Sequence, residues 1–237
     1  MPNMFSRLFS LTGIVLALAS CSRDMTEGEI DYSQDILTRN LDFSQVSFVG
    51  WASEKAKARE AFELVAREDE LTDRFAGSES LAASLPGLFG ADALAIGNKV
   101  FFDQFLWDFS TSIYESDRWL MAHELVHVWQ WQNRDRLGYS FSKIIAEHIE
   151  FGDEVYEYFL EPGKRFTDYR FEQQGQIVQC FAQLRFTHPN DPATERHRQV
   201  IRAEFPLEQV MEFVGAGRSE TVRVRADSFL ERCKSRA

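Results

Sequence analysis

The chain predicts an α+β fold, predominantly helical, with a small antiparallel hairpin beside one largely buried helix. Three observations lead there. Residues 118–132 run without Gly or Pro, and apolar Leu120, Met121, Leu125, Val126, Val128 and Trp129 surround a polar trio. Residues 92–102 (DALAIGNKVFF) set two short apolar runs on either side of Gly97-Asn98, a dipeptide suited to a two-residue hairpin turn. Beyond residue 133, two more helical stretches are separated by breaks rich in Pro and Gly.

Taken in order, the N-terminus reads as a secretory signal. Arg7 precedes an apolar run over 8–19 that is too short to span a bilayer. The run ends in Leu18-Ala19-Ser20-Cys21, which resembles a bacterial lipobox and implies cleavage before Cys21 and lipidation of that residue. Ser22, standing where Asp would retain the protein at an inner membrane, implies the outer membrane, facing the periplasm of the bacterial envelope. An ordinary signal peptide cut near Ala19 is the alternative. Residues 21–45, polar and acidic, read as a tether, leaving 46–237 as one domain of a size that supports a substantial core.

Residues 53–71 (SEKAKAREAFELVAREDEL) read as an amphipathic helix and 76–90 as a loop. After the hairpin, Ser116-Asp117 supplies an N-cap for the 118–132 helix. A turn over 133–140 contains Gly138. Helices are expected over 141–160, ended by Glu161-Pro162-Gly163, and over 169–186, ended by the stretch 188–192 (HPNDP). A short helix over 206–214 and a small strand over 221–224 complete the reading.

The charge is −11, and loss of residues 1–20 would make it one unit more negative, since Arg7 is the only charged residue there. That balance argues against nucleic acid and against a basic lipid-binding patch. In an oxidising compartment Cys180 and Cys233 could pair; Cys180, inside a predicted helix, could equally be a buried free thiol.

The chemistry concentrates in His123-Glu124-Leu125-Val126-His127, an HExxH arrangement. On a helix, positions i and i+4 share a face, so both imidazoles can converge on one Zn²⁺. Glu124 then points at the open coordination position, where it can act as general base on a water. A catalytic zinc needs a third protein ligand. Gln130 and Asn133 stand where a metzincin has Gly and His, so that class is ruled out. Glu147, Glu150, Asp153, Glu154, Glu157 and Glu172 remain as carboxylate candidates. Glu172 differs from the rest: it is the sole acid between Asp168 and Asp191, with Gly175 three residues on and Gln176 four residues on. Gly175 would allow close approach to another helix, and Gln176 could hydrogen-bond a ligand histidine. Tyr139, Tyr169 and His148 are the available oxyanion donors; His148, His188 and His197 otherwise read as surface or satisfied histidines.

Three segments in order resemble a known family: 95–102 (AIGNKVFF), 121–130 (MAHELVHVWQ) and 172–175 (EQQG). They are similar to gluzincin-type metallopeptidases, in particular the group found with Rhs, Vgr and extracellular contractile-injection proteins. The resemblance covers roughly residues 85–182. It implies a zincin-like fold, Zn²⁺ held by His123, His127 and Glu172, and Glu124 as general base. Gln176 departs from the pattern, which often has Asp there, and this weakens the implication of peptidase activity relative to that of zinc binding. The expectation is an envelope-anchored zinc peptidase acting on a protein or peptide, with secretion-system association implied. The alternative is a non-catalytic zinc-binding lipoprotein that serves a partner or a secretion apparatus.

Overall fold

The structure, a computed structural model, describes residues 21–37, 40–50, 92–103, 107–112, 114–206 and 230–237. The readings made for 1–20, 53–71, 76–90 and 221–224 lie outside these residues, as does nearly all of the helix expected over 206–214.

The fold is mixed α+β and mostly helical. The hairpin forms as expected: β3 (Ala93–Ile96) and β4 (Lys99–Phe102) pair antiparallel, and Ile96 opposite Lys99 leaves Gly97-Asn98 as the two-residue loop. Gly97 adopts φ +61°, a conformation that costs a residue with Cβ and suits glycine. The hairpin belongs to a larger sheet, however. β1 (Cys21–Asp24) pairs antiparallel with β2 (Ser47–Gly50), and β2 pairs parallel with β4, so the order is β1-β2-β4-β3. The sheet is therefore mixed, not purely antiparallel, and among the described residues β3 lies at its edge.

The segment 21–45 is not a tether. It supplies β1, helix α1 (Glu27–Leu37) and a 3₁₀ turn at Phe43–Gln45. Its acidity misled because one acid is turned inward. Glu29 is fully buried and accepts Arg23 through both oxygens (2.7 and 2.6 Å), the Thr26 amide (2.8 Å) and the Phe109 amide (2.7 Å). A buried carboxylate satisfied in this way ties β1 to the body, and removing Arg23 would cost about 3–5 kcal/mol.

Helix α2 (Glu115–Gln132) starts earlier than the Ser116-Asp117 cap implied. Asp117 lies inside its first turn, where a carboxylate meets the positive end of the helix dipole, and it accepts the Ser112 hydroxyl. Residues 121–130 of α2 are all buried, because the helix is covered by β3 and β4 on one side and by α5 (Phe171–Thr187) on another. After the single-turn α3 (Arg134–Leu137), α4 (Phe141–Phe151) ends nine residues short of the expected boundary. Gly152 takes φ +52° there, and the chain continues as a 3₁₀ turn, Gly152–Tyr156. Helix α6 (Pro192–Ile201) was missed because 188–192 was read only as a terminator. Asp191 caps it through the Ala193 amide (2.8 Å), and Pro192 occupies the first helical position.

Aromatic side chains fill the core in two clusters. Phe48, Phe102 and Phe109 stack beneath the sheet, with centroids 4.1–5.5 Å apart. Trp129, Phe166 and Phe205 meet at 4.9–5.9 Å around the C-terminal end of α2. Each such pair contributes about 0.5–1.5 kcal/mol beyond its burial, and Trp129 anchors the C-terminal half of α2 in the second cluster. Cys180 of α5 is bonded to Cys233, which fastens the C-terminal segment onto α5.

Candidate metal centre

The packing of α2 against α5 brings three sequence-selected residues together. His123, His127 and Glu172 are each buried. His123 Nε2 and His127 Nε2 lie 3.2 Å apart, and Glu172 Oε2 lies 3.3 and 3.4 Å from them. Ligands about 2.0–2.1 Å from a tetrahedral ion sit roughly 3.3 Å from one another, so this triangle has the dimensions of one face of a zinc tetrahedron.

The outer partners decide which nitrogens are free. The Nδ1–H of His123 donates to Gln179 Oε1 (3.0 Å), and the Nδ1–H of His127 donates to Gln130 Oε1 (2.8 Å). Gln130 is itself oriented, since its amide nitrogen donates to the Phe171 carbonyl and to Gln174 Oε1, both at 3.0 Å. With each Nδ1 protonated, the two neutral imidazoles present bare Nε2 lone pairs to each other and to a carboxylate oxygen. Such a cluster is repulsive unless a positive charge, a proton or a metal ion, lies among its members. The electrostatics agree. Burial opposes charge on His127, yet the Glu172 carboxylate outweighs it and pushes the pKa up to about 9. Burial likewise opposes ionisation of Glu172, but the three histidines around it hold it well below the usual carboxylate range. Two imidazoles and one carboxylate, all desolvated, form a donor set that fits zinc.

Glu124 is buried and lines a cavity of about 200 Å³ together with His123, His127 and Glu172. The Ala95 amide of β3 donates to its carboxylate, so the edge strand orients it. Burial pushes its pKa up against the pull of the two histidines.

Several expectations are revised by the structure. Gln176 lines the cavity but bonds no histidine; its amide donates to Cys180 Sγ at 3.7 Å. The histidine partners are instead Gln179, seven residues after Glu172, and Gln130, three after His127. Both spacings are helical, and that signal was available in the sequence. Glu150, Asp153, Glu154 and Glu157 are exposed. Glu147 caps α5, accepting the Phe171 and Glu172 amides at 3.1 and 3.3 Å. Tyr169 accepts the Glu161 amide and donates to the Phe159 carbonyl, away from the site. His148 contacts Glu172 at 3.0 Å, and Tyr139 lines the cavity. Tyr156 lines it as well and was overlooked. Burial, then the charges of Glu172 and Glu124, push its phenol pKa upward, so it stays protonated as a donor. Cys21 is the first residue of β1.

Comparison with known proteins finds similarity over part of the chain. Residues 52–135 match the eCIS core domain. A stretch of 62 residues is 43% identical to the type VI secretion system spike protein VgrG2b of Pseudomonas aeruginosa, covering 26% of this chain and 6% of that protein. The effector domain of Pseudomonas aeruginosa VgrG2b superposes with a TM-score of 0.48 at 21% identity, over 78% of this chain and 87% of that one. The chain thus spans a small fraction of the curated relative it matches. The sequence matches link it to Vgr and contractile-injection proteins.

Proposed function

We propose that this protein is a zinc-dependent peptidase with a zincin-like architecture. The observation that carries the reading is the convergence of His123, His127 and Glu172 at 3.2–3.4 Å with Glu124 on the same cavity wall. Zinc held there would supply a Lewis acid for the scissile carbonyl and lower the pKa of a water. Glu124 takes the proton of the attacking water and delivers it to the leaving amine. The Tyr156 phenol, held protonated, donates to the developing oxyanion. Among the described residues β3 is an edge strand; its Ala93, Leu94 and Ala95 line the cavity together with Asp92 just before it, so an extended peptide can pair with it and cross the site. That last feature favours a protein or peptide substrate.

The lipobox-like Leu18-Ala19-Ser20-Cys21 supports a lipid anchor at Cys21 in the bacterial envelope. Among the described residues no helix is long and apolar enough to cross a membrane. Because Cys21 begins β1, an acyl chain there would hold the domain close to the bilayer, with no spacer. Incorporation of labelled palmitate, lost in Cys21→Ala, tests this.

The decisive experiment combines zinc analysis with proteolysis. Purified protein should carry about one zinc per chain. It should degrade an unfolded substrate such as casein, and Glu124→Gln should keep the zinc while losing roughly 10²–10⁴-fold in rate. Equal inertness of both proteins across many substrates would leave the non-catalytic zinc lipoprotein as the better description, and absence of zinc would sink both.

A further inference from the structure

The Glu172 carboxylate is divided between two neighbourhoods. Oε2 faces the Nε2 atoms of His123 and His127, whereas Oε1 faces Nε2 of His148 at 3.0 Å. His148 comes from α4, a different element from either helix of the zinc triad. The residue before it, Glu147, accepts the backbone amides of Phe171 and Glu172. Consecutive residues of α4 therefore hold the main chain and the side chain of Glu172. The Tyr156 ring packs edge-on or tilted against both His148 (5.7 Å) and His123 (6.0 Å), which limits rotation of the His148 imidazole.

We propose that His148 is a positioning residue for Glu172, whose hydrogen bond engages Oε1 and leaves Oε2 alone to face the metal. The inference rests on the zinc reading above. A carboxylate with both oxygens free can ligate through both, and a hydrogen bond to one of them removes that option. With Oε1 engaged, the protein offers three ligand atoms and keeps a position open for water, the requirement of a catalytic zinc site. His148 itself stands outside the ligand set: among the described residues, the group whose donor atoms all lie within 4.8 Å of one another is His123, His127 and Glu172. Because its Nε2 is committed to Oε1, the oxyanion role falls to Tyr156.

The test compares wild type with His148→Gln, which keeps an N–H donor, and His148→Leu, which fills similar volume without one. Zinc affinity is measured by competition with a chromophoric chelator, and coordination by the visible d–d bands of the cobalt-substituted proteins. Metal-free melting temperatures verify that each variant folds, with His148→Ala replacing leucine if it does not. Expected is a loss of roughly 10–100-fold in zinc affinity for His148→Leu, with weaker cobalt bands as Oε1 joins the metal. His148→Gln should stay near wild type in both readouts. A leucine variant indistinguishable from wild type overturns the proposal. So does a glutamine variant as impaired as leucine, which would make His148 a ligand or a packing group. Failure of the wild type to bind zinc overturns the zinc reading itself, and this role with it.

Discussion

Gly175 of α5 lies directly against His123 of α2: a Cβ placed on Gly175 would stand 2.7 Å from Nε2, the nitrogen that faces His127 and Glu172. The missing side chain is what lets the two site-bearing helices come close enough for His123 Nε2 and Glu172 Oε2 to lie 3.3 Å apart. Glu172 and Gly175 sit three residues apart on one face of α5, so one helix supplies the carboxylate and, one turn later, the space for the imidazole it faces.

Substituting Gly175 should therefore damage the site before it damages the fold. Gly175→Ala must displace the His123 ring, and overpacking of this kind costs about 1–3 kcal/mol. The expected result is a zinc affinity lowered at least about tenfold, with far-UV dichroism unchanged. Wild-type affinity in chelator competition would refute the tight helix approach.

The amide partners of the histidines make a graded prediction. Gln179→Leu removes the acceptor that holds His123 Nδ1–H and should weaken zinc binding by roughly 10–100-fold. Gln179→Glu keeps the acceptor and adds negative charge, so its affinity should equal or exceed that of wild type. Isothermal titration of the three proteins checks the order; a glutamate variant weaker than leucine would contradict it.

The Cys180–Cys233 bond closes a separation of 53 residues. In the chain-entropy account a loop of that size stabilises the fold by about 4 kcal/mol. Cys180→Ala combined with Cys233→Ala should lower the denaturant-derived stability by an amount of that order. Both sulfurs are fully buried, so the bond should resist reduction by mild thiols in the native protein and become reducible when it unfolds.

His197 gives the fold an acid sensitivity separate from the metal site. It is buried; its Nδ1–H donates to the Ala193 carbonyl (2.8 Å), and its Nε2 accepts the Tyr158 hydroxyl (2.8 Å). Burial, helped by Arg196 and Arg236 and opposed by the Ala193 bond, pushes its pKa down to about 4. As pH falls below about 6.5 the unfolded chain takes up a proton that the folded chain refuses. Stability should decline from about pH 6.5 to about pH 4, by on the order of 3 kcal/mol from this group, and level off below. His197→Asn should have a flatter profile than wild type over that window in denaturant melts. Parallel profiles would remove His197 as the cause.

How much was legible beforehand follows the range of the interactions. The α2 helix, the Gly97-Asn98 turn, and the placing of Glu172 and Gly175 on one helical face all depend on residues within a few positions of each other. Periodicity and turn chemistry suffice for these and for the shared face of His123 and His127; choosing Glu172 among the carboxylates drew on the family resemblance as well.

What only the tertiary structure decided are the pairings between distant elements. The parallel alignment of β2 with β4, the burial of Glu29 that folds residues 21–45 into the body, and the capping of α5 by Glu147 leave no periodic trace. The same holds for His148 against Glu172 and for Tyr156 in the cavity wall. Local spacing determines which side chains share a face of one helix. Which group on another element meets that face depends on crossing geometry and on the desolvation of each polar atom, and these are settled when α2, α4 and α5 pack together.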